Sequence, residues 1–97
     1  MKKIKIGYRN YEIIETVVND TLIDGGQRCY GQVYYDEEKI YLNAENCDPT
    51  TLLHEVLHAI SEMYNIGLEE RQVEMLSKGL YITAIDNDLT LKENNKE

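Results

Sequence analysis

Apolar residues follow two different spacings along this 97-residue chain, one before Pro49 and another after it. Before Pro49 they stand in short runs rich in β-branched and aromatic residues, which is typical of strands. These runs cover residues 3–6, 11–17, 31–35 and 39–43. Turn-forming residues fill positions 7–10 and 36–38, so the pattern predicts two β-hairpins. Residues 19–28 are polar, contain two adjacent glycines and predict a loop.

From Pro49 onward, apolar residues recur every three to four positions, which is the spacing of one helix face. A first helix should begin near Pro49, with Asp48 as its N-cap, and stop before a left-handed Gly67. Its apolar residues form one broad arc: Leu52, Leu53, Val56, Leu57, Ala59, Ile60, Met63 and Tyr64. A second helix is predicted over residues 68–85. Its predicted core stripe is Val73, Leu76, Leu80 and Ala84.

Length and element order predict one α+β domain over residues 1–85, a short antiparallel sheet of hairpins followed by two packed helices. Residues 86–97 are polar and charged and are expected to form a frayed tail. A net charge of −8 argues against a nucleic-acid or anionic-membrane surface. The chain has neither a bilayer-length apolar run nor a signal-peptide hydrophobic region. It is therefore expected in the cytoplasm.

The stretch from His54 to His58 reads HExxH and carries the candidate chemistry. Positions i and i+4 stack on one side of a helix, so both imidazoles can bind one Zn²⁺. Glu55 points about 100° away around the helix, near enough to take a proton from a metal-bound water without competing for the metal. The two histidines lie almost opposite the apolar arc of the helix. The alternative is that they are ordinary solvent-exposed histidines.

A zinc site needs a third protein ligand, and the chain has no other histidine. Ser61 and Tyr64 occupy the positions where the metzincin pattern has glycine and histidine, so the third ligand must be a carboxylate or a cysteine. Glu70 and Glu74 lie one turn apart beside the core stripe of the second helix. One of them can bind the metal while the other accepts a hydrogen bond from a ligand histidine. The alternative for both is a solvated acidic face.

HExxH followed by a glutamate on the next helix resembles the gluzincin metallopeptidases. Residues 70–74 (ERQVE) look like the gluzincin E-x-x-x-D/E element, in which the first acid binds zinc and the second supports a histidine. The run from Glu70 to Tyr81 (ERQVEMLSKGLY) is also similar in spacing to the ExxANxFAxxLL segment of the ImmA/IrrE-like metallopeptidases, notably their small phage and mobile-element relatives. The resemblance covers residues 31–85. It departs from the family at Glu74, where the family has asparagine, and in the absence of an LLMP-type ending.

This resemblance implies a zincin-like fold and a zinc-dependent endopeptidase. Zinc would be held by His54, His58 and Glu70, and Glu74 would support a ligand histidine. Zinc would lower the pKa of its water to about 7, and Glu55 would pass the water's proton to the leaving amine. The substrate would be a protein or peptide. Because relatives of this type cleave repressors, a transcriptional regulator is the candidate partner.

Further residues have a candidate role in such a site. The strand before the metal helix, residues 40–43, would be the edge that pairs with the substrate backbone; an ordinary core strand is the alternative. An oxyanion donor is expected, for which Tyr81 and Tyr64 are candidates, and packing is the alternative role of both. Cys29 and Cys47 are expected to be free thiols, with inhibitory binding of a metal by Cys47 as the alternative.

Two other functions fit the same residues. One is a non-catalytic, zinc-containing module of a phage or mobile element that binds a regulator without cleaving it. The other is a metal-free adaptor in which the motif is vestigial. The intact Glu55 favours the enzyme, because a purely structural zinc site does not need this carboxylate.

Overall fold

The computed structural model describes residues 2–16, 31–45 and 49–89, together with two short strands at 23–24 and 27–28. The strands are β1 (Lys2–Ile6), β2 (Arg9–Thr16), β3 (Ile23–Asp24), β4 (Gln27–Arg28), β5 (Gly31–Tyr34) and β6 (Lys39–Asn43). Two helices follow, α1 (Pro49–Met63) and α2 (Glu70–Asp86). The predictions made for Cys29, Cys47 and Asp48, and for residues 90–97 of the tail, lie outside the described residues.

Both predicted hairpins are present. β1 pairs with β2 and β5 pairs with β6, each in antiparallel register, which brings Ile4 opposite Tyr11 and Val33 opposite Ile40. The predicted loop over residues 19–28 differs from the structure, because β3 and β4 form a short antiparallel ladder there. Only two residues separate these strands, which is the commonest length of a hairpin connection.

The four-stranded sheet has the order β1-β2-β6-β5, and β2 pairs with β6 in parallel. The α+β class is therefore confirmed, whereas the sheet is mixed rather than antiparallel. A parallel pair needs a long connection between its strands, and here residues 17–38 separate β2 from β6. The prediction that residues 40–43 form the substrate-pairing edge is wrong, because β6 lies between β2 and β5. The edge strand beside the first helix is β5.

The core lies between this sheet and α1, which packs against β1, β5 and β6. Its buried residues are Ile6, Tyr11, Ile40, Leu42 and Ala59. The partly buried residues around them are Ile4, Ile13, Val33, Tyr35, Leu52, Val56, Ile60 and Met63. Five residues of the predicted apolar arc of α1 belong to this core: Leu52, Val56, Ala59, Ile60 and Met63. Leu53 and Leu57 are half-buried outside it, and Tyr64 is exposed. Burial of this arc fixes the opposite side of α1, where the histidines lie, relative to the sheet.

The first helix begins at Pro49 and ends at Met63, as the sequence predicts. In the turn that follows, Asn65 (φ 56°) and Gly67 (φ 80°) both take the left-handed backbone conformation. The backbone N–H of Ile66 donates to the Ser61 carbonyl oxygen at 2.9 Å, which makes Asn65 the left-handed residue that closes α1. Gly67 is left-handed as expected, but it lies further along the turn toward α2 and does not cap the helix.

The second helix packs on α1 through a narrower stripe than predicted. Val73 and Ser77 are buried and Ala84 is half-buried, but Leu76 and Leu80 are 43% and 48% exposed. The prediction of Leu76 and Leu80 as core residues is therefore wrong. Taking 100° per residue, the observed stripe is rotated by roughly 40° from the predicted one, toward the side that carries the glutamates. Neither described helix combines the length and the apolar character needed to cross a bilayer.

Candidate metal centre

His54 and His58 lie one turn apart on α1, on the side that the second helix approaches. Their ring centroids are 4.9 Å apart with an interplanar angle of 61°, so the imidazoles are neighbours without stacking face to face. Both side chains are half-buried. The reading of two ordinary exposed histidines does not fit this arrangement.

The Glu70 carboxylate lies between the two imidazoles. Its Oε2 is 2.9 Å from Nε2 of His54, and its Oε1 is 2.9 Å from Nε2 of His58. One donor atom from each of these three side chains falls within 4.8 Å of the other two. Two helices that are separate along the chain therefore bring two nitrogens and one carboxylate to a common point.

Local contacts place Glu70 at the first position of α2. The backbone N–H of Glu69 donates to Oε1 of Gln72 at 2.8 Å, which forms part of a capping box at the start of the helix. In the turn between the helices, the backbone N–H of Leu68 donates to Oγ of Ser61 at 2.9 Å. Ser61 is buried on α1, so this hydrogen bond ties the start of α2 to the helix that carries the histidines.

The three groups fit a zinc ion by their chemistry. Two imidazole nitrogens and one carboxylate oxygen are a ligand set of catalytic zinc sites, in which the fourth position is left to water or substrate. Both Nε2 atoms lie in direct contact with the Glu70 carboxylate oxygens. The same nitrogen and oxygen atoms carry the lone pairs that would coordinate one zinc ion.

Glu74 lies on the other side of the His54 ring. Its Oε1 is 3.9 Å from Nδ1 of His54, and its Oε2 is 3.0 Å from Nζ of Lys78. The hydrogen bond and the positive charge of Lys78 lower the pKa of Glu74 below its ordinary value. The 3.9 Å between Oε1 and Nδ1 is longer than a hydrogen bond, so Glu74 lies near the His54 ring without being bonded to it. A small side-chain movement would give Nδ1 the carboxylate partner that metal-binding imidazoles usually have.

Glu55 is a buried acid, with only 7% of its surface exposed. Burial and, to a smaller extent, the negative charge of Glu70 raise the pKa of Glu55 to about 7. A carboxyl group buried on a short helix is unusual without a partner or a function, because the charged form loses its hydration. Its side chain faces the same cleft as the histidines.

The space that Glu55 occupies depends on Gly31, the first residue of β5. A Cβ atom at position 31 would lie 2.9 Å from Cγ2 of Thr51 and 3.2 Å from Cγ of Glu55. It would also lie 3.3 Å from Oε2 of Glu55. Any side chain at this position would therefore push against α1 and against the carboxylate.

Gly31→Ala is accordingly expected to lower the free energy of unfolding by about 1–3 kcal/mol, the usual cost of overpacking a filled site. Gly79→Ala is the matched control, because a Cβ at position 79 would meet no atom within 4 Å. The control should be neutral or stabilising by up to about 1 kcal/mol, since alanine favours the helix. Urea denaturation of both variants at about 1 µM protein, a concentration low enough to keep self-association out of the comparison, measures the difference. Equal stability of the two variants would show that Gly31 is not needed to make room for Glu55.

A cleft of about 350 Å³ opens beside these residues. One wall is formed by His54, Glu55, His58 and Glu70, and the other by Gly31, Gln32, Val33 and Tyr35. Gly31, Val33 and Tyr35 alternate along the chain, so the strand directs them to the same face. This alternation, together with the position of the segment before α1, is the sequence signal that could have identified Gly31 and Tyr35 as cleft residues.

Tyr35 is the tyrosine of this cleft. Its hydroxyl lies 3.5 Å from the backbone carbonyl oxygen of His58, and burial raises the pKa of Tyr35, so that the group keeps its proton as a donor. Nη1 of Arg9 donates a hydrogen bond to the Tyr35 carbonyl oxygen at 3.2 Å, which fixes the backbone of this residue. Tyr81, half-buried on α2, and the exposed Tyr64 are not among the described residues that line the cleft.

The structure thus brings His54, His58, Glu55 and Glu70 to one cleft and places Glu74 behind His54. The chain as a whole matches no family model, no curated protein and no solved structure.

Proposed function

We propose that this protein is a zinc-dependent metallopeptidase. The observation that carries the proposal is the convergence of Nε2 of His54, Nε2 of His58 and the Glu70 carboxylate in one cleft that the Glu55 carboxylate also lines. A ligand set of two histidines and one acid supports catalysis rather than structure alone, because it leaves a coordination position open. A structural site would also have no use for a second acid, Glu55, that is not a ligand.

His54, His58 and Glu70 would hold the zinc, and Glu74 would orient the His54 ring from its Nδ1 side. When bound, zinc supplies a Lewis acid that polarises a carbonyl group and makes water a better nucleophile at neutral pH. Glu55 acts as the general base: its carboxylate takes a proton from the attacking water and delivers it to the amine of the leaving peptide. The Tyr35 hydroxyl, which faces the backbone carbonyl oxygen of His58 at 3.5 Å, would redirect its proton to the oxygen that becomes negative during the reaction.

The substrate of this proposal is an extended segment of a protein. β5 has β6 as its partner on one side and forms the end of the strand order on the other. An extended peptide can add to such an edge through main-chain hydrogen bonds, which would lay its backbone along the cleft. The resemblance to the ImmA/IrrE-like peptidases favours a transcriptional regulator in the cytoplasm as the protein that supplies this segment.

The test of the function combines metal binding and hydrolysis. Purified protein should hold about one zinc per chain. With zinc it should cleave members of a peptide library made from a digested proteome, and with EDTA it should cleave none. Mass spectrometry of new peptide termini measures cleavage without knowledge of the natural substrate. A protein that binds no zinc at micromolar concentration would remove the basis of the proposal.

The two glutamates of α2 should differ in their effect on zinc affinity. Glu70→Ala removes a ligand and should weaken binding by more than about 100-fold, whereas Glu74→Ala removes only the support of His54 and should cost about 10–100-fold. Competition with a colorimetric chelator measures both affinities. Asp88→Asn, an exposed acid beyond the end of α2, is the control for the loss of one negative charge. The reverse order of effects would identify Glu74 as the ligand.

A further inference from the structure

α2 carries an apolar surface that the described part of the chain leaves exposed. Among the residues that the structure describes, every exposed large apolar side chain except Tyr8 lies between residues 64 and 89. Those on α2 are Met75, Leu76, Leu80, Ile82 and Ile85. A helix with apolar residues around most of its circumference is normally packed on more than one side. α2 therefore has a face that fits a further partner.

The face opposite the buried stripe has a glycine at its centre. Taking 100° per residue, Met75, Gly79 and Ile82 lie within about 40° of the direction opposite Val73 and Ser77. Met75 and Ile82 are 52% and 56% exposed, and nothing lies within 4 Å of a Cβ placed on Gly79. Glycine weakens a helix interior, and no contact among the described residues accounts for its presence there. A second helix that crosses at this point does account for it, because a missing side chain lets two backbones come close.

The charges on this face are complementary to their own copy. The chain has a net charge of −8, but Glu70 and Glu74 of α2 lie beside His54 and do not add negative charge to this face. The face itself has Arg71 toward one end and Asp86 at the other, and both residues are exposed. In a parallel pair of helices each of these charges would face its like, whereas in an antiparallel pair the two are opposite.

Residue spacing agrees with an antiparallel crossing at Gly79. With the two-fold axis midway between Lys78 and Gly79, residues equally far before and after it come level, so Met75 lies beside Ile82 of the second copy, and Arg71 lies beside Asp86 of the second copy. A shallow groove of about 440 Å³ lies at the receiving end of the face. It is lined by Leu68, Arg71, Gln72, Met75 and Leu76. Ile82 and Leu89 of the second copy would both reach this groove.

We infer that this face of α2 is the interface of an antiparallel, two-fold symmetric homodimer that crosses at Gly79. Such an interface is isologous, since the same patch is used by both copies. It lies away from the Glu70 and Glu74 side of the helix, so both clefts stay open. The inference goes beyond the proposed peptidase and does not depend on zinc.

Analytical ultracentrifugation from about 1 to 300 µM, in the presence of EDTA, tests the dimer. The interface uses one helix from each copy and is small, so a dissociation constant on the order of 10 µM is expected. Ile82→Glu should raise this constant about tenfold or more, because it places a charge in the apolar centre. Tyr8→Glu is the matched control: Tyr8 is 77% exposed on the β1–β2 turn, and its replacement should change nothing. A wild type that remains monomeric at 300 µM overturns the inference.

Two further variants test the arrangement itself. Gly79→Leu should weaken the dimer about tenfold or more by keeping the backbones apart, while circular dichroism shows the helix intact. Arg71→Glu and Asp86→Arg should each weaken the dimer several-fold, and the double exchange should restore it. A dimer that Gly79→Leu leaves unchanged uses another surface. If the double variant dimerises no more tightly than either single variant, the antiparallel pairing is overturned.

Discussion

Replacing Glu55 by glutamine is expected to lower peptide hydrolysis by about 10²–10⁴-fold, the range for loss of a general base, while zinc stays bound. Glutamine keeps the size of a side chain that is 7% exposed, so the packing against Gly31 and Thr51 is retained. The amide cannot take the proton from water. The three groups that converge on the metal position belong to other residues, so zinc content should not change.

The measurement compares zinc-loaded wild type and Glu55→Gln on the same peptide library, with zinc quantified by mass spectrometry in both. Glu15→Gln is the control, since it makes the same change on an exposed residue of β2, away from the cleft. A contaminating peptidase would cleave equally in all three samples. If Glu55→Gln cleaves as fast as the wild type, Glu55 is not the base. If zinc-loaded wild type cleaves nothing and cells expressing either protein show the same phenotype, the non-catalytic zinc module is the better description.

His54→Ala and His58→Ala are each expected to abolish stoichiometric zinc binding. With either imidazole gone, one histidine and Glu70 remain, and two protein ligands do not sustain high affinity. Zinc should also stop stabilising the protein. At a free concentration about 1,000 times the dissociation constant, zinc adds about 4 kcal/mol to the free energy of unfolding of the wild type.

Thermal unfolding with and without zinc, together with metal analysis of the dialysed proteins, measures both effects. Tyr64→Ala is the control, because this exposed residue lies just beyond the end of α1 and outside the cleft. Both histidines are half-buried at the surface of α1, so the metal-free variants should unfold close to the metal-free wild type. One zinc per chain in the His54→Ala/His58→Ala double variant would exclude this cluster as the metal centre.

The sequence by itself determined the features that depend on near neighbours. The hairpins follow from turn residues between short apolar runs, and α1 follows from Pro49 and the apolar arc. The position of His54 and His58 on the same side of α1 needs nothing beyond their four-residue spacing. These features involve residues a few positions apart, where local geometry leaves few alternatives.

The tertiary structure decided what joins these units. Residues 17–38 separate β2 from β6, and no local pattern showed that the two would pair in parallel and leave β5 at the edge. The rotation of α2 about its axis was also hidden, since Val73, Leu76 and Leu80 are equally apolar and only packing on α1 chooses among them. That rotation brings the Glu70 carboxylate within 2.9 Å of both Nε2 atoms and leaves Glu74 at Nδ1 of His54. The role of Gly31 also depends on tertiary structure, because the space beside it is filled by Glu55, which lies 24 positions later in the chain.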